Sequence, residues 1–344
     1  MTKFITNSDD LVTSHKATVE GFLKQALVKT EKATPYSETA TLFYYALQQI
    51  QDIGDLDYLL DNLDYREGLI AAAGFSNKAA DYASKEELDS AILGVFSTLK
   101  EKGGEAFREE LVYRYLLTMG DTLGGSMRNY VGSSAKRILS SAIHDVLTDE
   151  MQPKINEEGN IQGFAWDNRL LLFDIKPAFI GKNVDALLFD TSIIKDEFSL
   201  SQAYFDIFEA RNEYLNLKAG QKADKKTLRA SRSKVIAIEK AIKQYENQIK
   251  GNPSSYLAGG ELKGGIDPAG ADEHWKTARS ALDRIEEKFE NLQFKPKLFY
   301  VAAAIQQAQA VEIFNRLENG YLTYAANLTV FEQVEDLAIW LVNL

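Results

Sequence analysis

The sequence predicts an α+β protein in which a mixed β-sheet is flanked by helices and preceded by a large helical domain. Two observations carry this prediction. Residues 1–150 read as helical, whereas after residue 151 short apolar runs bounded by Gly, Pro or Asn are typical of central strands. Two consecutive helical segments interrupt the second half at about residues 203–250. We therefore predict a helical domain at 1–150 and a sheet-containing domain at 151–344 with an inserted helical hairpin.

The first half of the chain contains several helix starts. Asp9 or Asp10 is placed to cap a helix that runs towards Lys29, because a short acidic side chain ahead of an apolar stripe is a common N-cap. Ser84 and Glu87 form the capping-box pattern at the start of another helix. Two more helix starts are predicted, at residues 36 and 105.

The second half contains four apolar runs that are short enough to be strands. They are residues 169–175, 184–189, 255–263 and 298–302. Helices are predicted at about residues 271–291 and 305–319, and Gly320 is a typical residue at a helix stop. This alternation predicts a sheet that is covered by helices.

The predicted hairpin insertion consists of two helical segments, residues 204–217 and 225–250, joined by residues 218–224. We expect its apolar residues to pair the two arms and its basic residues to face outward. The apolar residues are Tyr204, Phe205, Phe208, Leu215 and Leu217 on the first arm and Val235, Ile236, Ile238, Ile242 and Ile249 on the second. The second arm carries Glu239 and Glu246 against eight cations, which are Lys225, Lys226, Arg229, Arg232, Lys234, Lys240, Lys243 and Lys250.

Composition limits the class of protein. The 344 residues are 45% hydrophobic and 26% charged, as in ordinary globular proteins, and the lack of cysteine excludes disulfides and Cys-ligated zinc. The first ten residues lack the apolar run of a signal peptide and no segment is long enough to span a bilayer, so we expect a cytoplasmic protein with no membrane partner. The net charge of −11 argues against nucleic-acid binding, yet a clustered basic surface can still bind DNA.

The most informative motif is the Glu-Leu-Lys triplet that ends the predicted strand at residues 255–263. Since successive side chains of a strand alternate, Glu261 and Lys263 project from one face while Leu262 points into the core. A carboxylate that can hold a divalent metal, beside an ammonium that can orient a water or stabilise negative charge, is suited to phosphodiester hydrolysis. The flanking glycines would allow the DNA backbone to approach closely.

A second acid, Asp185, lies on the predicted strand at residues 184–189. A carboxylate within an apolar run needs a partner, because burying an unpaired charge is costly. Asp185, Glu261 and Lys263 form a D…E-x-K pattern in which the two carboxylates are the expected ligands of Mg²⁺, the expected cofactor. The alternatives are a solvent-facing aspartate at residue 185 and a surface ion pair between Glu261 and Lys263, which would contribute little to stability.

Longer runs of sequence carry a resemblance to a known family. They are residues 261–278, 120–129 and 182–185, with shorter runs at 72–74, 110–114 and 325–329. These runs, spread over nearly the whole chain, resemble the type II restriction endonucleases of the AvaI/BsoBI family, within the PD-(D/E)XK nuclease superfamily. The resemblance implies a restriction-endonuclease-like fold in which residues 1–150 clasp DNA and residues 151–344 form the catalytic domain.

The resemblance also implies a specific activity. The expected enzyme is a homodimer that uses Mg²⁺ to cut both strands of double-stranded DNA. The implied target is CYCGRG, cut after the first C to leave 5′ overhangs and 5′ phosphates. A cognate DNA methyltransferase would belong to the same restriction-modification system without necessarily contacting the enzyme.

Individual residues receive roles from the same resemblance. His274 would act in the active site, either as the base that takes a proton from water or as an orienting group, and the alternative is a surface histidine. Asp267 combines two roles, an N-cap before Pro268 and a reader of a base edge. The other implied base readers are Lys78, Asp121, Lys182 and Glu273.

A glycine-containing run provides one further candidate site. Arg128 is a candidate phosphate contact, and a helix-start arginine paired with a local acid is an equal alternative. Gly124 and Gly125 resemble part of a phosphate cradle, but no Gly-Lys-Ser/Thr sequence follows them, which argues against nucleotide binding.

Two other functions stay open from the sequence alone. One is the same nuclease chemistry with a different DNA target, because the hairpin insertion could add contacts to DNA. The other is a non-catalytic helical interaction protein, which would agree with the acidity and the many helices.

Overall fold

The computed structural model describes residues 3–50, 52–75, 82–147, 152–156, 159–194, 198–219 and 224–344. Lys78, a predicted DNA contact, lies outside these described residues. The chain divides into two compact units: Gly21–Val131 forms one, and Met1–Glu20 with Gly132–Leu344 forms the other. Within the described residues, no helix combines the length and the apolarity that crossing a membrane requires.

The helical unit has its own apolar core. Its elements are α1 (His15–Leu47, which begins in the other unit), α2 (Leu56–Asp61), α3 (Leu63–Ala72), α4 (Lys85–Gly103) and α5 (Phe107–Gly132). Phe43, Phe96 and Phe107 are fully buried in this core. The prediction of a helical N-terminal region is confirmed.

Two details of the helix predictions are wrong and one is confirmed. Asn7, rather than Asp9 or Asp10, caps a short 3₁₀ turn at Ser8–Leu11, and α1 begins only at His15. Asp10 instead accepts hydrogen bonds from the amides before the turn. The helix start predicted at residue 36 does not exist, because α1 continues through Pro35. The capping box of Ser84 is present at the start of α4.

A mixed seven-stranded sheet organises the described part of the second unit. Its strands are β1 (Gln152–Ile155), β2 (Ile161–Trp166), β3 (Arg169–Ile175), β4 (Val184–Asp190), β5 (Tyr256–Lys263), β6 (Lys297–Ala302) and β7 (Tyr324–Asn327). They lie in chain order, antiparallel from β1 to β5 and parallel from β5 to β7. The four predicted strands are confirmed, and the predicted α+β fold is confirmed with them.

Helices cover both faces of the sheet. On one face lie α6 (Ser134–Leu147) and α11 (Phe331–Val342), packed on residues such as Leu188. On the other lie α7 (Leu200–Ala219), α8 (Lys225–Gly251), α9 (Ala271–Phe289) and α10 (Gln307–Glu318), packed on residues such as Leu187. Neighbouring strand residues thus enter opposite cores, as the alternation of a strand requires. Because α6 packs on the sheet, the boundary between the units falls before it rather than near residue 150.

The predicted hairpin insertion is present as α7 and α8, but its apolar residues do not all pair the two arms. Tyr204, Ile242 and Ile249 are buried in the core against the sheet. Four of the predicted pairing residues are instead exposed by 45–57%, because they lie on outer faces of the helices: Phe205, Phe208, Leu215 and Ile236.

The glycines at the centre of β5 have a packing role, and their role in the approach of DNA stays a prediction. A Cβ added at Gly259 would lie 3.2 Å from side-chain atoms of Ile285 and Leu187. A Cβ at Gly260 would lie 2.2 Å from the buried ring of Phe299. These positions allow α9 and a core phenylalanine to approach the strand that carries Glu261.

We predict that Gly260→Ala lowers the free energy of unfolding by about 1–3 kcal/mol, because the added methyl group overpacks the core against Phe299. Urea unfolding followed by circular dichroism measures the change. Gly251→Ala is the matched control in the same unit, since no atom other than those of its chain neighbours and its own helix backbone lies within 4 Å of the added Cβ. We expect a change within about 0.5 kcal/mol. Equal stabilities of the two variants would contradict the packing role.

Candidate active site

Three predicted catalytic residues meet where β4 begins and β5 ends. Asp185 is the second residue of β4, and the pairing of Ala186 with Gly260 places it level with the end of β5. The backbone amide of Leu262 donates a hydrogen bond of 2.9 Å to Oδ2 of Asp185. The strand alternation sends Leu262 into the core and leaves Glu261 and Lys263 on the side of Asp185, as predicted.

Lys263 connects the two acids. Its Nζ donates to Oδ2 of Asp185 at 2.8 Å and to Oε2 of Glu261 at 2.7 Å. The side chain of Glu261 is only 5% exposed, against 19% for Lys263 and 28% for Asp185. The alternative of a surface ion pair between Glu261 and Lys263 is therefore excluded. Solvent exposure increases from Glu261 through Lys263 to Asp185.

The charges of these residues depend on one another. Burial, together with the negative charge of Asp185, raises the pKa of Glu261 to about 7, although Lys263 acts in the opposite direction. Burial alone would lower the pKa of Lys263, but attraction to Asp185 and Glu261 outweighs it and raises the pKa above its ordinary value. Lys263 is therefore an ammonium at neutral pH, as predicted.

The donor set of this cluster fits Mg²⁺. Asp185 and Glu261 offer carboxylate oxygens, and Mg²⁺ is commonly bound by one or two carboxylates while it retains several waters. Among the residues that the structure describes, no group of three or more His, Cys, Asp or Glu could hold a metal ion. A closed protein-only site of the structural zinc type is therefore not formed by these residues.

His274 lies in the first turn of α9, beside the loop that follows β5. A Cβ at Gly265 would lie 2.5 Å from its Cε1, so glycine at this position makes room for the imidazole. Its Nδ1 is buried, and no described residue forms a hydrogen bond with it. Burial and the charge of Lys263 lower the pKa of His274, although Asp267 and Glu273 oppose this, so the ring is neutral at pH 7.

Three of the predicted base readers occur at the same end of the sheet as the catalytic cluster. Lys182 is exposed just before β4. Asp267 is exposed in the loop after β5, where it caps the turn at Pro268–Gly270 by accepting a hydrogen bond of 3.0 Å from the Ala269 amide. Glu273 is exposed in the first turn of α9. The capping role of Asp267 is confirmed, and its side chain also faces solvent.

Asp121 and Arg128 belong to the helical unit, where both are exposed residues of α5. Arg128 lies near the end of this helix, so the alternative of a helix-start arginine is wrong. Gly124 and Gly125 lie inside α5 and form no loop, which removes the phosphate cradle. Added Cβ atoms at these glycines would each lie 3.8 Å from the Arg128 guanidinium, which therefore extends along the helix surface.

One positioning residue was not predicted from the sequence. Ser134, at the start of α6, donates a hydrogen bond of 3.1 Å from its Oγ to the carbonyl of Gly264, directly after Lys263. This contact holds the end of β5, directly after Lys263. It joins residues 130 positions apart, and no local pattern around Ser134 indicates it.

Comparison with known proteins agrees with this geometry. Residues 1–244 and 227–344 match the profile of the family described as restriction endonuclease BsobI. The chain belongs to this family. The type II restriction enzyme AvaI of Nostoc sp. is 36% identical over 99% of this chain and 98% of its own length, and AvaI of Anabaena variabilis shows the same values. The type II restriction enzyme BsoBI of Geobacillus stearothermophilus is 32% identical over 98% of this chain and 96% of its own length.

The predicted family is thus confirmed over nearly the whole chain. This member of the BsobI family is a type II restriction endonuclease and therefore a site-specific enzyme. The alternative of a non-catalytic interaction protein is wrong. Family membership also indicates a divalent metal as cofactor, in agreement with the two carboxylates of the cluster.

The raised pKa of Glu261 predicts a pH-dependent stability in the presence of a chelator. Between about pH 4.5, the ordinary pKa, and about pH 7, the folded protein retains a proton that the unfolded chain has released. The free energy of unfolding therefore falls as pH rises through this window. In Glu261→Gln the fall should be shallower, by up to about 1.4 kcal/mol per pH unit.

Urea unfolding at several pH values measures this slope. Glu209→Gln, which removes an exposed carboxylate of α7, is the control and should retain the wild-type slope. Identical slopes for Glu261→Gln and wild type would show that Glu261 carries no shifted proton.

Proposed function

We propose that this enzyme uses Mg²⁺ to hydrolyse both strands of double-stranded DNA at CYCGRG. Cleavage after the first C would leave 5′ overhangs with 5′ phosphates and 3′ hydroxyls. The observation that carries the chemistry is the hydrogen-bonded cluster in which Lys263 joins Asp185 and Glu261. The target is supported by the match of nearly the whole chain to AvaI and BsoBI.

Each residue of the cluster has a distinct role in this proposal. Asp185 and Glu261 would hold Mg²⁺, which when bound supplies positive charge against the negative charge that develops on the scissile phosphate. Lys263, charged at neutral pH, would orient the attacking water or stabilise the same negative charge. His274 is neutral and can accept a proton, so it is the candidate base, with an orienting role as the alternative.

Base readout follows from the chemistry of C and G. Carboxylates accept hydrogen bonds from cytosine N4, and lysines donate to guanine O6 and N7 in the major groove. Asp121, Asp267 and Glu273 would therefore read cytosine, and Lys78 and Lys182 would read guanine. Arg128 would contact a phosphate.

The proposed target is two-fold symmetric, and a two-fold symmetric dimer is the matching assembly. Each subunit would supply one catalytic cluster and half of the base contacts. A cognate methyltransferase would protect the same sequence in the host. The α7–α8 hairpin favours one second candidate, the same chemistry at a different target.

Plasmid digestion tests the chemistry and the target together. We expect discrete fragments with Mg²⁺ and none with EDTA, and sequencing of the ends identifies the target.

Asp185→Asn, Glu261→Gln and Lys263→Ala should each lower the cleavage rate at least about 100-fold. Lys295→Ala is the control, because this exposed lysine precedes β6 at the opposite end of the sheet. Near wild-type cutting by any of the three variants would remove that residue from the active site.

The base-reading residues make a separate prediction about binding. Asp121→Asn, Lys182→Ala and Asp267→Asn should each weaken binding to the target by about 1–3 kcal/mol. Binding to a scrambled duplex at the same salt concentration should change much less. Asn is itself a good N-cap, so Asp267→Asn preserves the turn. Arg128→Ala should weaken both duplexes equally, and the same uniform loss in the other three would identify them as phosphate contacts or structural residues.

A further inference from the structure

The outer face of α8 carries a row of cations. Lys225, Arg229, Arg232, Lys240 and Lys243 are all exposed, and their spacings of four, three, eight and three residues place them on one face of the helix. Ile236 occupies the gap in this row and is also exposed. We call these five cations the basic stripe. At a rise of 1.5 Å per residue it is about 27 Å long.

The two acids of α8 are both engaged by side chains of other elements. Glu246 is buried and accepts hydrogen bonds from the Tyr204 hydroxyl at 2.7 Å and from Nζ of Lys154 at 2.5 Å. Glu239 pairs with Arg211 at 2.8 Å. The ion pairs that these acids form with described residues are therefore with Lys154, Arg211 and Lys250, and the basic stripe is a row of cations in a chain of net charge −11.

Lys234, another exposed cation of the hairpin, differs from the members of the basic stripe because it forms an ion pair. Lys234 lies off the stripe and pairs with Glu213 of α7 at 3.4 Å. Among the ion pairs between described residues, none involves a member of the basic stripe. Five cations along one line that form no ion pair with a described residue repel one another, and a partner with a regular row of negative charges would remove that repulsion.

The hairpin is anchored on the edge strand β1, at the end of the sheet where the catalytic cluster lies. Nη1 of Arg211 donates a hydrogen bond of 2.9 Å to the carbonyl of Ile155 at the end of β1. The ladders from β1 to β4 place Ile155 level with Asp185, three strands and about 14 Å away. Arg211 also pairs with Glu239 and so holds this part of α8 near the end of β1. Arg232, Arg229 and Lys225 precede Glu239 and lie about 10–20 Å from it along the helix axis.

We infer that the basic stripe binds the phosphates of the DNA duplex that flank the target sequence. This inference rests on the proposed function, which brings a duplex to the end of the sheet where the catalytic cluster lies. Successive phosphates of one strand are about 3.4 Å apart along the duplex axis, so a stripe of about 27 Å matches several of them. The contacts are to the backbone alone and add affinity without reading sequence.

Point substitutions test the stripe without disturbing the core that the hairpin covers. The test variant is the triple change Lys225→Gln, Lys240→Gln and Lys243→Gln. The matched control removes three exposed lysines of the same hairpin that lie off the stripe, by Lys218→Gln, Lys226→Gln and Lys234→Gln. Both lose three charges. Circular dichroism and thermal unfolding confirm that both are folded.

Binding is measured in EDTA over a range of salt concentrations, on duplexes that carry the cleavage site with short or long flanks. For wild type and control, longer flanks should increase affinity and steepen the salt dependence. For the stripe variant the slope of log K against log salt on the long duplex should be shallower by about 0.9 per lost phosphate contact, up to about 2.7. Its gain from longer flanks should shrink accordingly.

Three outcomes separate the possibilities. Equal slopes for the stripe variant and the control overturn the inference, even when wild type cuts the short duplex with Mg²⁺ as proposed. A change in oligomeric state of the stripe variant, with unchanged slope, identifies the stripe as a contact with a second, acidic copy of the chain and also overturns it. Failure of wild type to cut at all refutes the proposed function, whatever the slopes are.

Discussion

Compensation of charge around Lys263 is the constraint on which the rest of the candidate active site depends. Two carboxylates at the shared end of β4 and β5 repel each other, and one of them, Glu261, is almost completely removed from water. A buried acid without a partner is strongly destabilising, and a single ammonium within 2.8 Å of both acids offsets that cost. The register of the two strands, the amide of Leu262 and the contact from Ser134 all serve to hold these groups together.

Packing behind the cluster makes this arrangement rigid. Gly260 accommodates the ring of Phe299 on one side of β5, while Gly259 accommodates α9 through Ile285. The helix is thereby fixed against the strand that carries Glu261, and its first turn brings His274 beside the loop that follows. This end of the sheet thus combines a cluster of charged groups with a core that tolerates little movement.

The sequence predicted the central strands and the catalytic pattern because both are local. Continuous apolar runs indicate buried strands, and a spacing of two places Glu261 and Lys263 on one face. β1, β2 and β7 were not predicted. β1 and β7 have only four residues each, and β1 is a half-buried edge strand that contains Pro153. In β2, Gln162 and Gly163 interrupt the apolar run. Asn7, Asp9 and Asp10 are all suitable N-cap residues, and only the folded structure selects Asn7. The exposure of Phe205 and Phe208 likewise depends on which face of α7 packs against the rest of the protein.

The position of the hairpin in the sheet topology bears on how such enzymes diversify. Phe189 near the end of β4 pairs with Tyr256 at the start of β5, so the two catalytic strands are neighbours where the insertion leaves and rejoins them. The inner side of α7 and α8, with Tyr204 and Ile249, covers the core and is not free to vary. The outer side of α8 does not cover the core. Substitutions on this outer surface would therefore leave the two strands that carry the cluster in place.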